Sequence, residues 1–350
     1  MKKEKVVIGM SGGVDSSVAA WLLKEEGYDV TGVTMITCDE AQCGNDPSRD
    51  ARIVAEEIGI PHYTVDFRDA FSTFVMDYFC NEYLNGRTPN PCVVCNRHVK
   101  WEALLGWAKS QGIHYVATGH YAKIRQLENG RYTVANAASS GKDQTYALYN
   151  LTQDQLAHTW MPVGNYEKDD VRKIAEKAGL SVAGKADSQD ICFIPDGDYA
   201  AFIREKTGQE IPKGNFVDRD GKILGKHKGI IHYTIGQRKG LGLSLGHPAF
   251  VTEIRPETNE VVIGKDEDLR TETVCAHYLN AMGVPDLGDL EGRRIFAKIR
   301  YNHKGDWCTV KKTGDDEIAC TFEIPQRAVT PGQALVLYED GFVLGGGRIR

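Results

Sequence analysis

The chain has 350 residues, 41% of them hydrophobic, and a formal net charge of −6. No apolar run approaches the roughly 18 residues needed to span a bilayer, and Lys2, Lys3 and Lys5 lead straight into an apolar strand without a cleavable leader, so the expectation is a cytoplasmic protein of two or three domains with no membrane role. Nine cysteines, an odd number scattered along the chain, fit a reducing compartment better than a disulfide framework.

Up to about residue 120 strand and helix patterns alternate, which predicts a parallel sheet covered by helices on both faces. Strands are expected near 6–10, 29–35, 62–66 and 114–118, with helices over 16–26, 49–58, 67–84 and 96–110. The first three helices stop at Gly27, Gly59 and Gly86. Asn129-Gly130 marks a hairpin, helices follow at 153–160 and 168–178, and a loop carries residues 187–195. Beyond Thr207 short alternating strands broken by Gly and Pro predict two small β-barrel units, about 206–271 and 272–350.

The first strand runs into Gly9, Met10, Ser11, Gly12, Gly13, Val14, Asp15, Ser16 and Ser17 before the first helix. Gly12 and Gly13 permit a sharp turn and close backbone approach, while the serines and the first helical amides offer donors aided by the helix dipole. This is an anion-binding turn, and Asp15 adds a carboxylate suited to Mg²⁺ beside phosphates. No G-x-x-x-x-G-K-[ST] occurs, so the turn is not a Walker A site. It resembles the pyrophosphate loop of ATP pyrophosphatases, which transfer AMP to an oxygen.

A second site lies at Thr88, Pro89, Asn90, Pro91, Cys92, Val93, Val94, Cys95 and Asn96, where two prolines stiffen a loop and Cys95 is expected at a helix start. The dipole there would lower the thiol pKa and favour thiolate. The C-x-x-C spacing is open between a redox dithiol, half a zinc site and part of an iron–sulfur site, although no second C-x-x-C or H-x-x-x-H completes a zinc set. Cys192 lies where a polar loop meets an apolar segment. Cys38, Cys43, Cys80, Cys275, Cys308 and Cys320 read as inert buried thiols.

Charge is uneven. Residues 1–205 carry 21 basic and 28 acidic side chains, whereas 206–350 carry 21 and 20. Residues 222–239 hold five basic side chains and no acidic one, and 293–312 hold seven basic residues against Asp306. Such patches can neutralise phosphates or serve as solvated faces.

Taken in order, residues 9–17, 88–96, 118–122, 142–144, 187–194, 234–242 and 329–333 resemble the motifs of bacterial tRNA 2-thiouridylases over essentially the whole length. The resemblance implies an α/β adenine-nucleotide α-hydrolase-like (PP-loop) domain over 1–205, a small central β domain over 206–271 and a tRNA-contacting β-barrel over 272–350. It implies ATP with Mg²⁺ at Gly9, Met10, Ser11, Gly12, Gly13, Val14, Asp15 and Ser16, with Met35 and Gly119 near the adenosine. Cys95 and Cys192 are its catalytic thiols. Asn90, Pro91 and Cys92 correspond to base-contacting positions, Lys142, Asp143, Gln144, Arg300, Tyr301 and Gln333 to tRNA contacts, and His120 to a place between ATP and RNA. The expected reaction is 2-thiolation of the wobble uridine in tRNAs for lysine, glutamate and glutamine, supplied with sulfur by a cysteine desulfurase or a sulfur carrier. Many relatives have aspartate in place of Cys92. Cysteine there leaves two routes open, a persulfide relay or a [4Fe-4S] cluster held by Cys92, Cys95 and Cys192. Two other classes share parts of the pattern: an ATP pyrophosphatase that adenylates a metabolite, and a non-catalytic tRNA-binding thiol carrier.

Overall fold

A computed structural model of the protein describes residues 4–39, 47–186 and 191–350. Its first layer is a five-stranded parallel sheet of β1 (Lys5–Gly9), β2 (Asp29–Ile36), β3 (His62–Asp66), β4 (Tyr115–Ala117) and β7 (Thr159–Trp160), in the order β3-β2-β1-β4-β7. β1 is central, and Val6, Val7 and Ile8 are fully buried because both sheet faces are covered. Their alternation sorts them: Val6 and Ile8 join a core with α1 (Val14–Glu25) and α2 (Pro47–Ile58), whereas Val7 joins a core with Trp101, Leu104 and Leu105 of a helix over 91–110, α4. The expected stops at Gly27, Gly59 and Gly86 all have positive φ, at 90°, 75° and 68°. The helix ending at Gly86 is α3, over 68–84.

Two expected helices are corrected. The pattern over 153–160 is helical only in Gln153–Ala157; Thr159 and Trp160 form the sheet's edge strand beside β4. A tertiary partner overrides the local pattern, since Thr159 accepts a 2.6 Å bond from the buried Trp101 indole and Trp160 stacks on Tyr115. The helix expected from 96 starts at Pro91, where a missing N–H costs nothing, so Cys95 lies one turn inside it. Within α4, Cys95–Ala103 is wound more loosely, with i→i+5 hydrogen bonds.

After α5 (Lys168–Lys177) and α6 (Tyr199–Thr207) the chain builds a four-stranded sheet from β8 (Gly214–Val217), β9 (Ile223–His227), β10 (Phe250–Arg255) and β11 (Glu260–Gly264). The last unit is a six-stranded barrel of β12 (Arg270–Ala281), β13 (Arg294–Lys298), β14 (Asp306–Gly314), β15 (Glu317–Arg327), β16 (Ala334–Glu339) and β17 (Phe342–Ile349), in the order β12-β15-β14-β13-β16-β17 and closed by pairing of β12 with β17. The hairpin marked by Asn129-Gly130, β5 (Lys123–Gln126) and β6 (Tyr132–Ala135), extends this barrel's sheet through Phe342 opposite Ala135. No described helix is long and apolar enough to cross a membrane.

One ion-pair junction ties α3 to the barrel. Glu82, 4% exposed, receives Arg87 through two bonds of 2.7 and 3.0 Å, and Arg348 of β17 stands 3.7 Å from the same carboxylate, sandwiched between the rings of Tyr78 and Tyr278. Removing a buried charge that serves two cations leaves both uncompensated. Glu82→Ala should therefore lower unfolding free energy by about 3 kcal/mol, read from urea denaturation, and a change below about 0.5 kcal/mol would show the junction to be ornamental.

Candidate active site

The turn between β1 and α1 is held by its own serines. Gly12 adopts φ 68°, the Ser11 N–H donates to Ser16 Oγ at 3.2 Å, and the hydroxyls of Ser16 and Ser17 donate to the Gly13 carbonyl at 3.2 and 2.8 Å. Gly119, just beyond β4, packs on this turn so tightly that a Cβ there would lie 2.6 Å from the Ser16 nitrogen. The Met35 methyl lies 3.6 Å from where a Gly9 Cβ would stand. Gly9, Met35, Gly119 and the Asp15–Ser16 backbone therefore meet at one end of the sheet, where crossovers on either side of β1 leave a crevice. The Asp15 carboxylate is engaged: Lys168 Nζ donates to both its oxygens at 2.7 and 2.9 Å, and the Tyr121 hydroxyl donates at 2.7 Å. Lys185 Nζ bonds the Gly12 carbonyl at 2.9 Å and Asp50 at 2.6 Å.

Beside this turn lies the cysteine site. Phe193 and Ile194 are buried, and Phe193 meets Phe71 and Phe79 edge to face at 5.5 and 5.4 Å. That aromatic anchor, in one core with Val94, Val99 and Cys95, holds Cys192 near α4. Residues 187–190 of the motif lie outside the described residues. Burial pushes the Cys95 thiol up to about 12; the Lys100 ammonium works against this, and charge on Cys192 or Cys92 adds to it. Cys192 is exposed at the mouth, yet the protein on its inner side raises its thiol as well, with Lys100 again opposing and Cys92 adding. The expected thiolate at Cys95 is thus corrected: one turn inside the helix, desolvation outweighs the dipole. Among the described residues, no three or more His, Cys, Asp or Glu side chains are gathered closely enough to hold a metal ion, so Cys92, Cys95 and Cys192 as arranged do not fit a cluster. Cys38 is also corrected, since it stands half-exposed just past β2 and is disulfide-bonded rather than an inert buried thiol. Cys80, Cys308 and Cys320 are buried free thiols, Cys275 is partly buried, and Cys43 lies outside the described residues.

The candidate RNA-contacting residues gather around the same mouth. The Tyr301 hydroxyl, from the loop after β13 (Arg294–Lys298), donates to the Asp143 carbonyl at 3.1 Å, and Tyr301 lies near enough to Cys92 to feel its charge. The Asp143 carboxylate caps the Ala137 and Thr145 amides, while Gln144 accepts from the Tyr121 N–H at 2.8 Å. Lys142 is half-buried beside them. The Gln333 amide donates to the carbonyls of Thr88 and Pro89, at 2.9 and 3.3 Å, and Arg300 donates to the Arg327 carbonyl at 3.1 Å. Asn90 occupies the N-cap position of α4 without a side-chain bond to the helix, Pro91 is buried and Cys92 is exposed. His120 bonds Thr118 through Nδ1 at 2.8 Å and packs on Trp101; burial, then the Lys100 charge, holds it well below the usual histidine range, so it stays neutral.

Residues 4–196 match the family described as tRNA methyl transferase HUP domain, 200–265 its PRC-barrel domain and 283–349 the aminomethyltransferase beta-barrel domain. The tRNA-specific 2-thiouridylase MnmA of Lachnoclostridium phytofermentans is 60% identical, and the alignment covers 99% of each chain. The chain belongs to the tRNA-specific 2-thiouridylase family. Those of Clostridium acetobutylicum and Acetivibrio thermocellus are 51% and 50% identical, with 99% of each chain and the whole of each chain covered, respectively.

Against this family background, sequence reasoning overlooked Tyr121, Lys168, Lys185 and Lys100. Tyr121 lies inside a quoted motif and Lys185 abuts one, so both were within reach; Lys168 stands 153 residues from Asp15 and carries no local signal. In the protein alone, iodoacetamide should modify Cys95 slowly near pH 7, at a rate climbing roughly tenfold per pH unit through about pH 10. Mass spectrometry of the Cys95 peptide checks this, and a plateau below about pH 9 contradicts it.

Proposed function

We propose that the protein is a tRNA-uridine 2-sulfurtransferase that adenylates the C2 oxygen of the wobble uridine with ATP and replaces it with sulfur. The observation that carries this reading is convergence: one run of contacts joins Asp15 of the anion-binding turn through Tyr121 to Gln144, and Asp143 beside it to Tyr301 of the barrel, which lies near Cys92 of the cysteine segment. A metabolite-adenylating enzyme has no need of the last two, and a passive thiol carrier no need of the first.

The chemistry follows from what the uracil C2 carbonyl lacks. Its oxygen leaves only as oxide or hydroxide, so it must first become a good leaving group. ATP, accompanied by Mg²⁺, would lie with its phosphates on residues 9–16 and its adenosine near Met35 and Gly119, in the dipole field of α1. The C2 oxygen attacks the α-phosphorus, the P–O bond to pyrophosphate breaks, and the base loses its N3 proton. Lys185 and Lys168 stand where they can balance phosphate charge, and Mg²⁺ at Asp15 would compete with Lys168. Reaching this mouth requires the base to leave the anticodon stack. Asn90, Pro91 and Cys92 then border it, with Lys142, Asp143, Gln144, Arg300, Tyr301 and Gln333 on the RNA backbone and neighbouring bases, while neutral His120 gives or takes a hydrogen bond between nucleotide and base.

Sulfur arrives as a persulfide on Cys192, the more exposed thiol, delivered by a cysteine desulfurase or a carrier. Its outer sulfur attacks C2 and AMP departs. The Cys95 sulfur then attacks Cys192 Sγ, so that a Cys95–Cys192 disulfide forms, the bond to the transferred sulfur breaks and 2-thiouridine is released; a thiol reductant resets the pair. The substrates are the tRNAs for lysine, glutamate and glutamine, and the cytoplasm is the place of action. Among the described residues, the lack of a gathered ligand set favours this relay over a cluster.

Incubation with ATP, a persulfide source and unmodified tRNA should give RNA-dependent pyrophosphate release and one 2-thiouridine per tRNA. Cys95→Ala should abolish thiolation while ATP binding persists, and full thiolation by that variant sinks the assignment. Anaerobic purification followed by iron and acid-labile sulfide assays should find neither in stoichiometric amount; close to four of each per chain would favour the cluster route.

A further inference from the structure

Cys95 is partly buried and Cys192 lies exposed at the mouth, and the protein around them pushes both thiols toward their neutral forms, yet sulfur transfer needs them as anions. Any compensation must come from a nearby cation without a carboxylate of its own. Lys168 and Lys185 are paired with Asp15 and Asp50, at 2.7 and 2.6 Å. Lys100 differs: it is half-buried, and among the described residues no carboxylate forms an ion pair with it.

Backbone winding accounts for its position. In an α-helix residues four apart stack along one face, and residue i+5 has turned away. Over Cys95–Ala103 the helix is wound i→i+5, as in the bond from the Leu104 N–H to the Val99 carbonyl, so residue i+5 stacks above residue i. Lys100 is i+5 to Cys95. The next residue, Trp101, is fully buried against the His120 ring at 5.3 Å, which fixes the rotation of this turn.

We infer that Lys100 is the counter-ion of the sulfur relay, a positioning residue whose ammonium, turned toward Cys95 by the wide helical turn, steadies the anionic sulfur of Cys95 and of the Cys192 persulfide. Three groups from three segments, Cys95, Cys192 and His120, sense its charge, which agrees with a central placement. Burial, with the same charge adding to it, keeps His120 neutral. This inference rests on the sulfurtransferase reading, and its effect falls on the sulfur step rather than on adenylation.

The test compares Lys100→Met and Lys100→Arg in the full-length protein, with Lys100→Gln as a second neutral variant should the methionine protein fail to melt like wild type. Alkylation of Cys95 and Cys192 by iodoacetamide at about pH 8 should slow roughly tenfold in the neutral variants and recover in the arginine variant. Single-turnover thiolation should fall at least about tenfold in the neutral variants, with KM for tRNA and ATP within about threefold of wild type. Wild-type alkylation and thiolation rates in a folded neutral variant overturn the inference. So does a loss expressed mainly in KM for ATP, which would make Lys100 a nucleotide ligand. Failure of wild-type protein to release pyrophosphate with tRNA refutes the sulfurtransferase reading instead, and the alkylation comparison still judges the thiol–lysine coupling by itself.

Discussion

Thr88 is the point on which the site's assembly turns. Its N–H donates to the Pro331 carbonyl at 2.9 Å, its carbonyl accepts from Gln333, and its hydroxyl meets the Thr234 hydroxyl at 3.1 Å. Each polar group of one residue is thus used by a loop from another part of the chain. Gly332 makes the approach possible, since at φ 91° any Cβ would fall about 3 Å from the Thr88 backbone. Three residues after this knot α4 begins its first turn and presents Cys92 and Cys95. Displacement of the barrel loop or the middle sheet would therefore move the thiols, which explains why a chemical site in the first domain needs the two β units behind it.

The electrostatics of the site divide along the same line. On the turn side, cations and carboxylates are paired, with Lys168 on Asp15 and Lys185 on Asp50, so that side is near neutrality until polyphosphate enters and competes for the ammonium groups. On the sulfur side, burial is the largest influence and it opposes ionisation. Exposed thiolates invite oxidation, whereas a thiol that burial pushes up to about 12 stays inert until an electrophile reaches it. Protection and reactivity are separated in time rather than in space.

How much of this was legible in the residues follows from the range of each interaction. The Gly9–Ser17 turn and the helix stops depend on bonds within a few residues, and the structure has them; the change from parallel sheet to barrel was legible in the local spacing of strands and helices, although distant strands make the pairings. The strand at Thr159–Trp160 was not legible, because its cause is the open edge of β4 and the Trp101 indole, 58 residues back. The Cys95 thiol was misread for the same reason. A dipole is visible in the local sequence, but the apolar core that overrides it draws on distant segments, Phe193 and Ile194 about a hundred residues on among them. The two ends of the Lys168–Asp15 and Tyr301–Asp143 contacts are likewise more than 150 residues apart.

The loose winding of α4 is a distortion with a structural use. Wide turns weaken a helix, so one is retained where its geometry is needed. Here, over Cys95–Ala103, a single backbone must satisfy two constraints: Val99 and Trp101 have to enter the cores against the sheet and α3, and Lys100, between them in sequence, has to stay on the face of Cys95. Regular α-helical spacing turns residues five apart to different faces, so it could bury Val99 and Trp101 or align Lys100 with Cys95, but it would not do both. An i→i+5 turn does both. Core packing and the electrostatics of sulfur transfer are thereby coupled through one turn of backbone.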